Sequence, residues 1–557
     1  MAAQAEHAIS GEILAYVPTE LVGRQEETQK IRQAVDEGKR VVLLEGMGGI
    51  GKTRMLNEAP TYLEESARNL VFLEILDFYD TAMHGSLALE EALAYQIEER
   101  DAHVEVFEEF FKVASDLRTS RIDDEQIVHA TFAEAFKTWL GDRWAVLRFD
   151  TAEALEVGKD AQEVRDECEI YEEVAPAATW LQKHLREFAQ TTALIAARPT
   201  LHLRESLAQA YADDLWCYLR LDTLSLAEAR TFFNISEFGR QIDAEMVKRI
   251  WLLSDGRPIL LSLAIDWLAS GVRVDEIYDI DLDTLEERKE SDGPAWEQTL
   301  EQFERALVGK FRLLNSNMNL AIYYAARARK GFTAEMLRAM LATFPTAPVT
   351  LSPGQMEALM SQLKRLSFVK QPHGAREGWY FLHDEMYDLV DRYVWQRDYP
   401  SYKQQASVAR FLADEIYGFD EGDGLIGEAV ANVREATHYV EMLQLRHDLE
   451  TLRTERLFYQ LEADPAAGYA TYERLDVQAI SQRRHEWDDM LRIEVLRFIH
   501  MLPARALQDG LVAGFDPETG EPIIADAINR GCRARWVHRF FARGRRKKAK
   551  RIAQKLL

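Results

Sequence analysis

The sequence predicts an α/β domain on a five-stranded parallel sheet, followed by helical units, one of which carries a β-hairpin. Three observations lead there. Five short apolar runs recur with helical stretches between them, and continuous apolar runs suit strands covered on both faces. The first run empties into a glycine-rich loop. Beyond Leu221 the texture turns helical.

The runs are Val41–Glu45, Leu70–Leu76, Trp144–Asp150, Thr192–Arg198 and Cys217–Leu221. The long insert between the second and third is polar and amphipathic, and predicts helices. Arg148 interrupts the third run: either it faces a ligand cleft or the strand register is shifted. Ser225 and Glu228 form a capping box ahead of LAEARTFF, which starts a helix. Gly256-Arg257-Pro258 then breaks the chain before an apolar helix, where proline forfeits no helical hydrogen bond. From about Trp296 to Trp395, helices precede two alternating runs, Ser367–Gln371 and Trp379–His383, joined by the loop Pro372–Gly378. That is a β-hairpin, and helices followed by a hairpin make a winged-helix pattern. From Tyr399 onward the reading is nearly all helical, a loose array without a clean period.

At 557 residues the chain is long enough for several independently cored domains. Its 67 basic and 93 acidic residues give a net charge of −26, which argues against a nucleic-acid binder over its whole surface. Cys168, Cys217 and Cys532 offer neither a disulfide framework nor metal-ligand spacing, as suits a reducing cytosol. The best membrane candidate, Pro258–Gly271, is short and broken by Asp266. The N-terminus lacks the pattern of a signal peptide. A cytoplasmic protein without membrane contact is expected. One charge anomaly stands out: Arg533–Leu557 holds 11 Lys or Arg and no acid. It reads either as a solvated helix face or as a site for an anionic partner such as nucleic acid.

Gly46-Met47-Gly48-Gly49-Ile50-Gly51-Lys52-Thr53 fits G-x-x-x-x-G-K-S/T. Glycines let successive backbone N–H groups curl around phosphates, the lysine reaches the β- and γ-phosphates, and the threonine hydroxyl ligates Mg²⁺. Chance would supply roughly 0.02 such matches in a chain of this length, and the motif sits on the strand-to-helix junction it requires. Gly46, Gly48, Gly49, Ile50, Gly51, Lys52, Thr53 and Arg54 are therefore expected to bind nucleotide. Asp150 ends the third run, and Glu153 follows in D-T-A-E. A carboxylate there can hold Mg²⁺, and a second can orient or deprotonate an attacking water. Thr53 and Asp150 are the expected metal ligands, and Lys52, Asp150 and Glu153 the expected catalytic groups. The alternatives are a helix cap for Asp150, against which the metal role is favoured, and for Glu153 a solvated helix face, which explains it equally well.

In these ordered motifs the chain resembles the STAND-type P-loop NTPases, the signal-transduction class that includes the NB-ARC and NACHT ATPases. The resemblance spans roughly Leu21 to Tyr393. Leu21-Val22-Gly23-Arg24-Gln25-Glu26-Glu27 is similar to the opening hh-G-R-E-x-E motif, with Gln25 for the first Glu. It implies adenine recognition around Val22, Gly23 and Arg24. D-T-A-E is similar to the acidic box of bacterial members. Arg198 resembles the family's γ-phosphate sensor. Gly256-Arg257-Pro258 resembles the G-x-P motif, which implies that Pro258 packs on the nucleotide. Leu382-His383-Asp384 resembles M-H-D, with Leu for Met, and implies that His383 touches the ADP β-phosphate and locks a closed state. Arg535–Leu557 looks faintly like one tetratricopeptide helix pair, with Phe540, Gly544 and Ala549 at suitable spacing.

The resemblance implies an α/β P-loop NTPase domain with a parallel five-stranded sheet, then a helical domain, a winged-helix domain and an all-α C-terminal helical array. The corresponding boundaries are an N-terminal extension at 1–20, the nucleotide domain at 21–222, a helical lid at 223–295, the winged helix at 296–396 and a TPR-like region at 397–557. It further implies an ATP/ADP switch with Mg²⁺: closed with ADP, self-associating with ATP, slow in hydrolysis, and triggered by a protein partner at the C-terminal helices. Twenty residues before Leu21 are too few for an effector domain, so the output is expected elsewhere. The alternatives are an origin-initiator-like AAA+ ATPase that binds DNA, with Arg257 as its arginine sensor, an ATP-dependent transcription regulator, and a scaffold with a dead nucleotide site.

Overall fold

The computed structural model describes residues 21–556 except 102–105, 119–124, 157–175, 236–238, 270–271, 274–277, 292, 315, 346–347, 372–377, 399–401, 438, 516, 518–521 and 543–545. Its largest sheet has five strands: β1 (Val41–Glu45), β2 (Leu70–Asp77), β3 (Trp144–Asp150), β4 (Thr191–Ala197) and β5 (Trp216–Arg220), in the order β2-β3-β4-β1-β5. β3 pairs in parallel with both β2 and β4. β1 and β4 are buried along their whole length, which is why their sequences are apolar save for Glu45 at the end of β1 and Thr191 and Thr192 at the start of β4.

Arg148 finds a role that neither sequence expectation foresaw. The β3 register holds, but β2 shifts register between Phe72 and Ile75. There the Arg148 guanidinium donates two hydrogen bonds to the Leu73 carbonyl, at 2.9 and 2.7 Å. A bulge disrupts the ladder locally, and a long cationic donor in the neighbouring strand serves it.

The chain divides into two compact units. The first comprises Met1–Gln33, Leu44–Glu65 and Tyr218–Val408. In it, helices Pro294–Gly309, Ser316–Ala325, Ala334–Thr343 and Pro353–Leu363 precede the antiparallel hairpin β6 (Val369–Lys370) and β7 (Phe381–Leu382). Most of the expected hairpin loop, residues 372–377, lies outside the described residues. Phe332 adds a bridge to Tyr380, with backbone hydrogen bonds of 2.8 and 2.9 Å, and so extends the hairpin by a third segment.

The second unit comprises Ala34–Leu43, Ser66–Cys217 and Ala409–Leu557. The insert between β2 and β3 is helical, as its periodicity predicts: Ser86–Arg100, Glu108–Arg118 and Glu125–Leu140. Helices Tyr439–Ala463, Pro465–Ser481 and His485–Met501 share a core that includes Leu457, Leu461, Trp487, Leu491 and Phe498. The C-terminal region is helical, as expected, with one addition. A small hairpin, β8 (Val512–Phe515) and β9 (Pro522–Ile524), interrupts it. Its strands are too short for a legible alternation.

The basic run also divides. Helices Asp526–Ala542 and Arg546–Leu556 pack together, with Phe540 and Ala549 buried; Gly544 lies outside the described residues. Arg535 turns inward to Glu473 (2.8 Å) and Asp476, and Arg539 to Asp488 (2.8 Å) and Asp489. Arg546, Lys547, Lys550 and Arg551 face solvent. Burial and the adjacent Asp488 push the Asp476 carboxyl up to about 9. The same unit joins insert to array: Arg118 pairs with Glu91 (2.6 Å) and Glu486 (3.0 Å), and Arg497 donates to the Tyr79 carbonyl (2.7 Å). Among the described residues no helix is long and apolar enough to cross a membrane.

Two outcomes are expected. Arg539→Ala strands buried carboxylates, and removing one partner of a buried pair costs about 3–5 kcal/mol. Hydrogen exchange should show that loss in helix His485–Met501; unchanged protection there refutes the pairing. His447 is pushed down to about 4, by burial first and then by Arg118. Its unfolded form binds a proton near 6.5, so the unfolded chain holds more protons between about 4 and 6.5. Stability therefore falls as pH falls through that window. His447→Gln should remove about 1–3 kcal/mol of this fall, read as the difference from wild type in exchange protection of helix Tyr439–Ala463 at pH 7 and pH 4.5.

Candidate functional site

The phosphate-loop sequence runs from the end of β1 at Glu45 into helix Lys52–Asn57. Gly49 and Gly51 are left-handed, with φ of +72° and +102°. Such positions turn successive N–H groups to one side and make an anion-binding concavity. At Gly49 the constraint is double, because an added Cβ would fall well inside contact distance of the Ile259 side chain. The Lys52 ammonium arches over the loop and donates to the carbonyls of Gly46 (2.7 Å) and Met47 (3.0 Å). Gly46, Gly49 and Ile50 are buried; Gly48, Gly51 and Thr53 are half-buried. Arg54 pairs along its helix with Glu58 at 2.8 Å.

The opening motif is wired to this loop from within the same unit. Val22 is half-buried. Gly23 has φ +67°, and a Cβ there would lie 2.8–2.9 Å from the Glu228 side chain. The capping box is present as predicted: Ser225 accepts from the Glu228 N–H and Glu228 from the Ser225 N–H. Arg24 is buried and donates to the carbonyls of Ile50 (3.1 Å) and Asp222 (2.7 Å) while pairing with Glu27 (3.1 Å). Arg24 thus holds the loop's backbone.

The Gly-Arg-Pro turn touches both sides of the unit. Leu224 N–H donates to the Gly256 carbonyl at 2.9 Å, and Ile259 N–H donates to the Gly49 carbonyl at 3.3 Å. Pro258 opens helix Pro258–Ala269 and is half-buried. Arg257 pairs with Glu304 and, at 3.2 Å, with Glu385. Glu385 stands in the first turn of helix Asp384–Val390, which His383 caps: its Nδ1 accepts from the Glu385 N–H at 3.3 Å. A neutral ring whose Nδ1 accepts carries its hydrogen on Nε2, where it can donate. Residues 257–259 therefore bond to the phosphate loop on one side and to the helix behind His383 on the other. Sequence spacing singled out Pro258; it is Arg257 and Ile259 that make these bonds.

The remaining site residues lie in the second unit. Asp150 is buried, and its Oδ1 accepts from the Thr151 N–H at 2.9 Å. Thr151 is left-handed, at φ +56°. Glu153 is engaged with Arg198: it accepts the Arg198 backbone N–H (2.9 Å) and faces the guanidinium Nε (3.6 Å). A solvated helix face does not describe Glu153. A contact that no motif flags closes β1, where Tyr218 donates to the buried Glu45 carboxylate at 2.7 Å. Those residues are 173 positions apart, beyond any spacing signal.

These groups fit a nucleotide with Mg²⁺. In the first unit the left-handed glycines and Lys52 supply anion donors and the Thr53 hydroxyl a hard oxygen of the kind Mg²⁺ takes; in the second unit the Asp150 carboxylate is an oxygen of the same kind. Gly49→Ala should cost more than about 1 kcal/mol from the φ strain alone, plus the clash with Ile259. Thermal unfolding of Gly49→Ala, Ile259→Ala and the double variant forms a cycle. A partial rescue is expected in the double variant, since space is restored and strain is not; strict additivity refutes the contact.

No protein-family model and no curated protein matches the chain. Solved structures do. One is a signal transduction ATPase with numerous domains (STAND) protein with a tetratricopeptide repeat sensor from Pyrococcus horikoshii, at 15% identity and a TM-score of 0.40, covering 98% of this chain and 66% of that one. The chain thus spans just under two thirds of that protein's length. Another is the Aeropyrum pernix ORC1 protein in complex with DNA, at 14% identity and TM-score 0.29, covering 71% of this chain and 97% of that one. A third is Cdc6p from Pyrobaculum aerophilum, at 12% and 0.28, covering 68% and 95%. At these scores the likenesses carry no argument about function; in fold, the chain is similar to STAND and ORC/Cdc6 proteins.

Proposed function

We propose that this chain is an ATP/ADP-dependent molecular switch of the STAND type, cytoplasmic and weakly ATP-hydrolysing. The observation that carries the reading is the turn at 257–259, bonded both to the Gly49 carbonyl and, through Glu385, to the helix capped by His383. A change at the phosphate loop has a short covalent and hydrogen-bonded path to the winged helix.

The chain's own groups divide the work. Lys52 exchanges its loop carbonyls for β- and γ-phosphate oxygens, a gain because the new acceptors are charged. Thr53 and Asp150 hold Mg²⁺, which when bound neutralises charge on the phosphates. Val22 and Gly23 present backbone to the adenine, and Pro258 packs on the nucleotide. His383 donates from Nε2 to the ADP β-phosphate and, with Arg257–Glu385, keeps the closed form. Arg198 trades Glu153 for the γ-phosphate. Glu153 is then released to orient the attacking water, so sensing precedes hydrolysis. Moving an equilibrium from 1:99 to 99:1 takes about 5.5 kcal/mol of differential affinity, so a second trigger is required. The ion pairs from Glu486 to Arg118 give a partner at the C-terminal helices a route to the insert.

A DNA-binding AAA+ initiator or a transcription regulator remains the second reading, favoured by the exposed Arg546, Lys547, Lys550 and Arg551. Binding to duplex DNA across a salt series, falling steeply with salt, would support it.

Size-exclusion light scattering tests the switch. Wild type should be monomeric with ADP and larger with a non-hydrolysable ATP analogue; identical monomers in both overturn it. Lys52→Ala should bind neither nucleotide, and Arg257→Ala should self-associate without the analogue.

A further inference from the structure

The second unit contains a cluster that the nucleotide chemistry does not use. His129 lies on helix Glu125–Leu140. His184 and Glu187 lie on the short 3-10 turn that follows helix Pro176–Lys183 and leads into β4. One ligand atom from each of the three lies within 4.8 Å of the others. We propose that His129, His184 and Glu187 bind a divalent transition-metal ion, best matched by Zn²⁺.

The distances suit it. With metal–ligand bonds of about 2.0–2.1 Å, neighbouring ligands of a tetrahedral ion stand about 3.3–3.4 Å apart. His129 Nε2 is 3.3 Å from one Glu187 oxygen, and His184 Nδ1 is 3.6 Å from the other. Each ring nitrogen thus stands near ligand-to-ligand spacing from one oxygen of the Glu187 carboxylate, and the three groups offer ligand atoms within 4.8 Å of one another.

The outer shell suits it too. Glu90 is buried and bonds His129 Nδ1, while also accepting from Trp180 Nε1 at 2.9 Å. A carboxylate behind a histidine holds the hydrogen on that nitrogen and turns the other ring nitrogen's lone pair outward. This is the arrangement that orients metal-bound imidazoles. Here that lone pair faces the Glu187 carboxylate, so two acceptors meet and something positive belongs between them. His184 Nδ1 is a second such atom, buried and without a hydrogen bond.

A proton could meet part of this demand. Burial works against a charged His129, yet Glu90 and Glu187 together raise its pKa; burial and then the neighbouring His129 lower that of His184. The ring centroids are only 3.7 Å apart, so both rings do not charge together. One divalent ion serves both rings and the carboxylate. Two imidazoles and a carboxylate with an open fourth position are a zinc-type donor set. Glu187 is exposed, which gives the ion an entrance. The ion would pin the insert helix Glu125–Leu140 to the turn ahead of β4, the strand that Arg198 follows.

The test uses full-length wild type, stripped with chelator and dialysed, with Mg²⁺ and ADP saturating the nucleotide site. Titration with Zn²⁺ should give one equivalent per chain at micromolar affinity or better, and Co²⁺ should give the intense visible bands of tetrahedral coordination. His184→Ala should lose at least 100-fold in affinity. Glu90→Gln should lose about 10–100-fold while keeping the stoichiometry. His184→Cys should restore binding with a sulfur-to-cobalt charge-transfer band, which guards against a misfolded alanine variant. No bound equivalent in wild type, or binding indifferent to both His184 variants, overturns the proposal and leaves His129 and Glu187 sharing a proton. Circular dichroism and ADP binding check that each variant is folded.

Discussion

Everything in the first unit hangs on the close approach of Ile259 to Gly49. The glycine must be left-handed to turn the phosphate loop, and it must lack a side chain to let Ile259 in. Once the isoleucine is there, its N–H reaches the Gly49 carbonyl, and the helix from Pro258 starts in register with the loop. Arg257, one residue earlier, is then carried to Glu304 and Glu385. A single steric fit therefore fixes the spacing between the loop that holds phosphates and the helix that His383 caps.

The second unit is organised by charge instead. Asp476, Asp488, Asp489, Glu91 and Glu494 are buried, and ion pairs to Arg118, Arg535 and Arg539 offset the desolvation of most of them. Such pairs add little net stability over apolar packing, but losing one partner is severe. They specify which helix sits against which. This is how the array and the insert come to share one compact body: Glu486 and Arg497, from the helix His485–Met501, reach Arg118 and the Tyr79 carbonyl.

Much of this was legible in the sequence where a local signal existed. The strands Val41–Glu45 and Trp144–Asp150 coincide with their apolar runs, because burial on both faces demands mostly apolar side chains. The Ser225–Glu228 box and the helix at Pro258 follow from backbone groups that need caps within three residues. The β6–β7 hairpin was visible from its alternation. What escaped was set by distance in space. Arg148 reads as an error until the β2 bulge supplies its acceptor. Arg535 and Arg539 read as solvent charges until acids some fifty residues earlier close over them. In the candidate site, the glycines and Lys52 were legible from spacing, whereas the engagement of Glu153 with Arg198 and of Arg257 with Glu385 was not. No spacing rule joins His129 to His184 and Glu187.

The inward-facing arginines have a consequence for biosynthesis. The ribosome delivers Asp488 and Asp489 about fifty residues before Arg539. Until that cation and its neighbours emerge, the three-helix body around Trp487 would have to bury two carboxylates without their partner, so it cannot settle. The array thus becomes rigid only once those cations have left the ribosome, and a nascent chain cut before them stays loose enough for quality control to find.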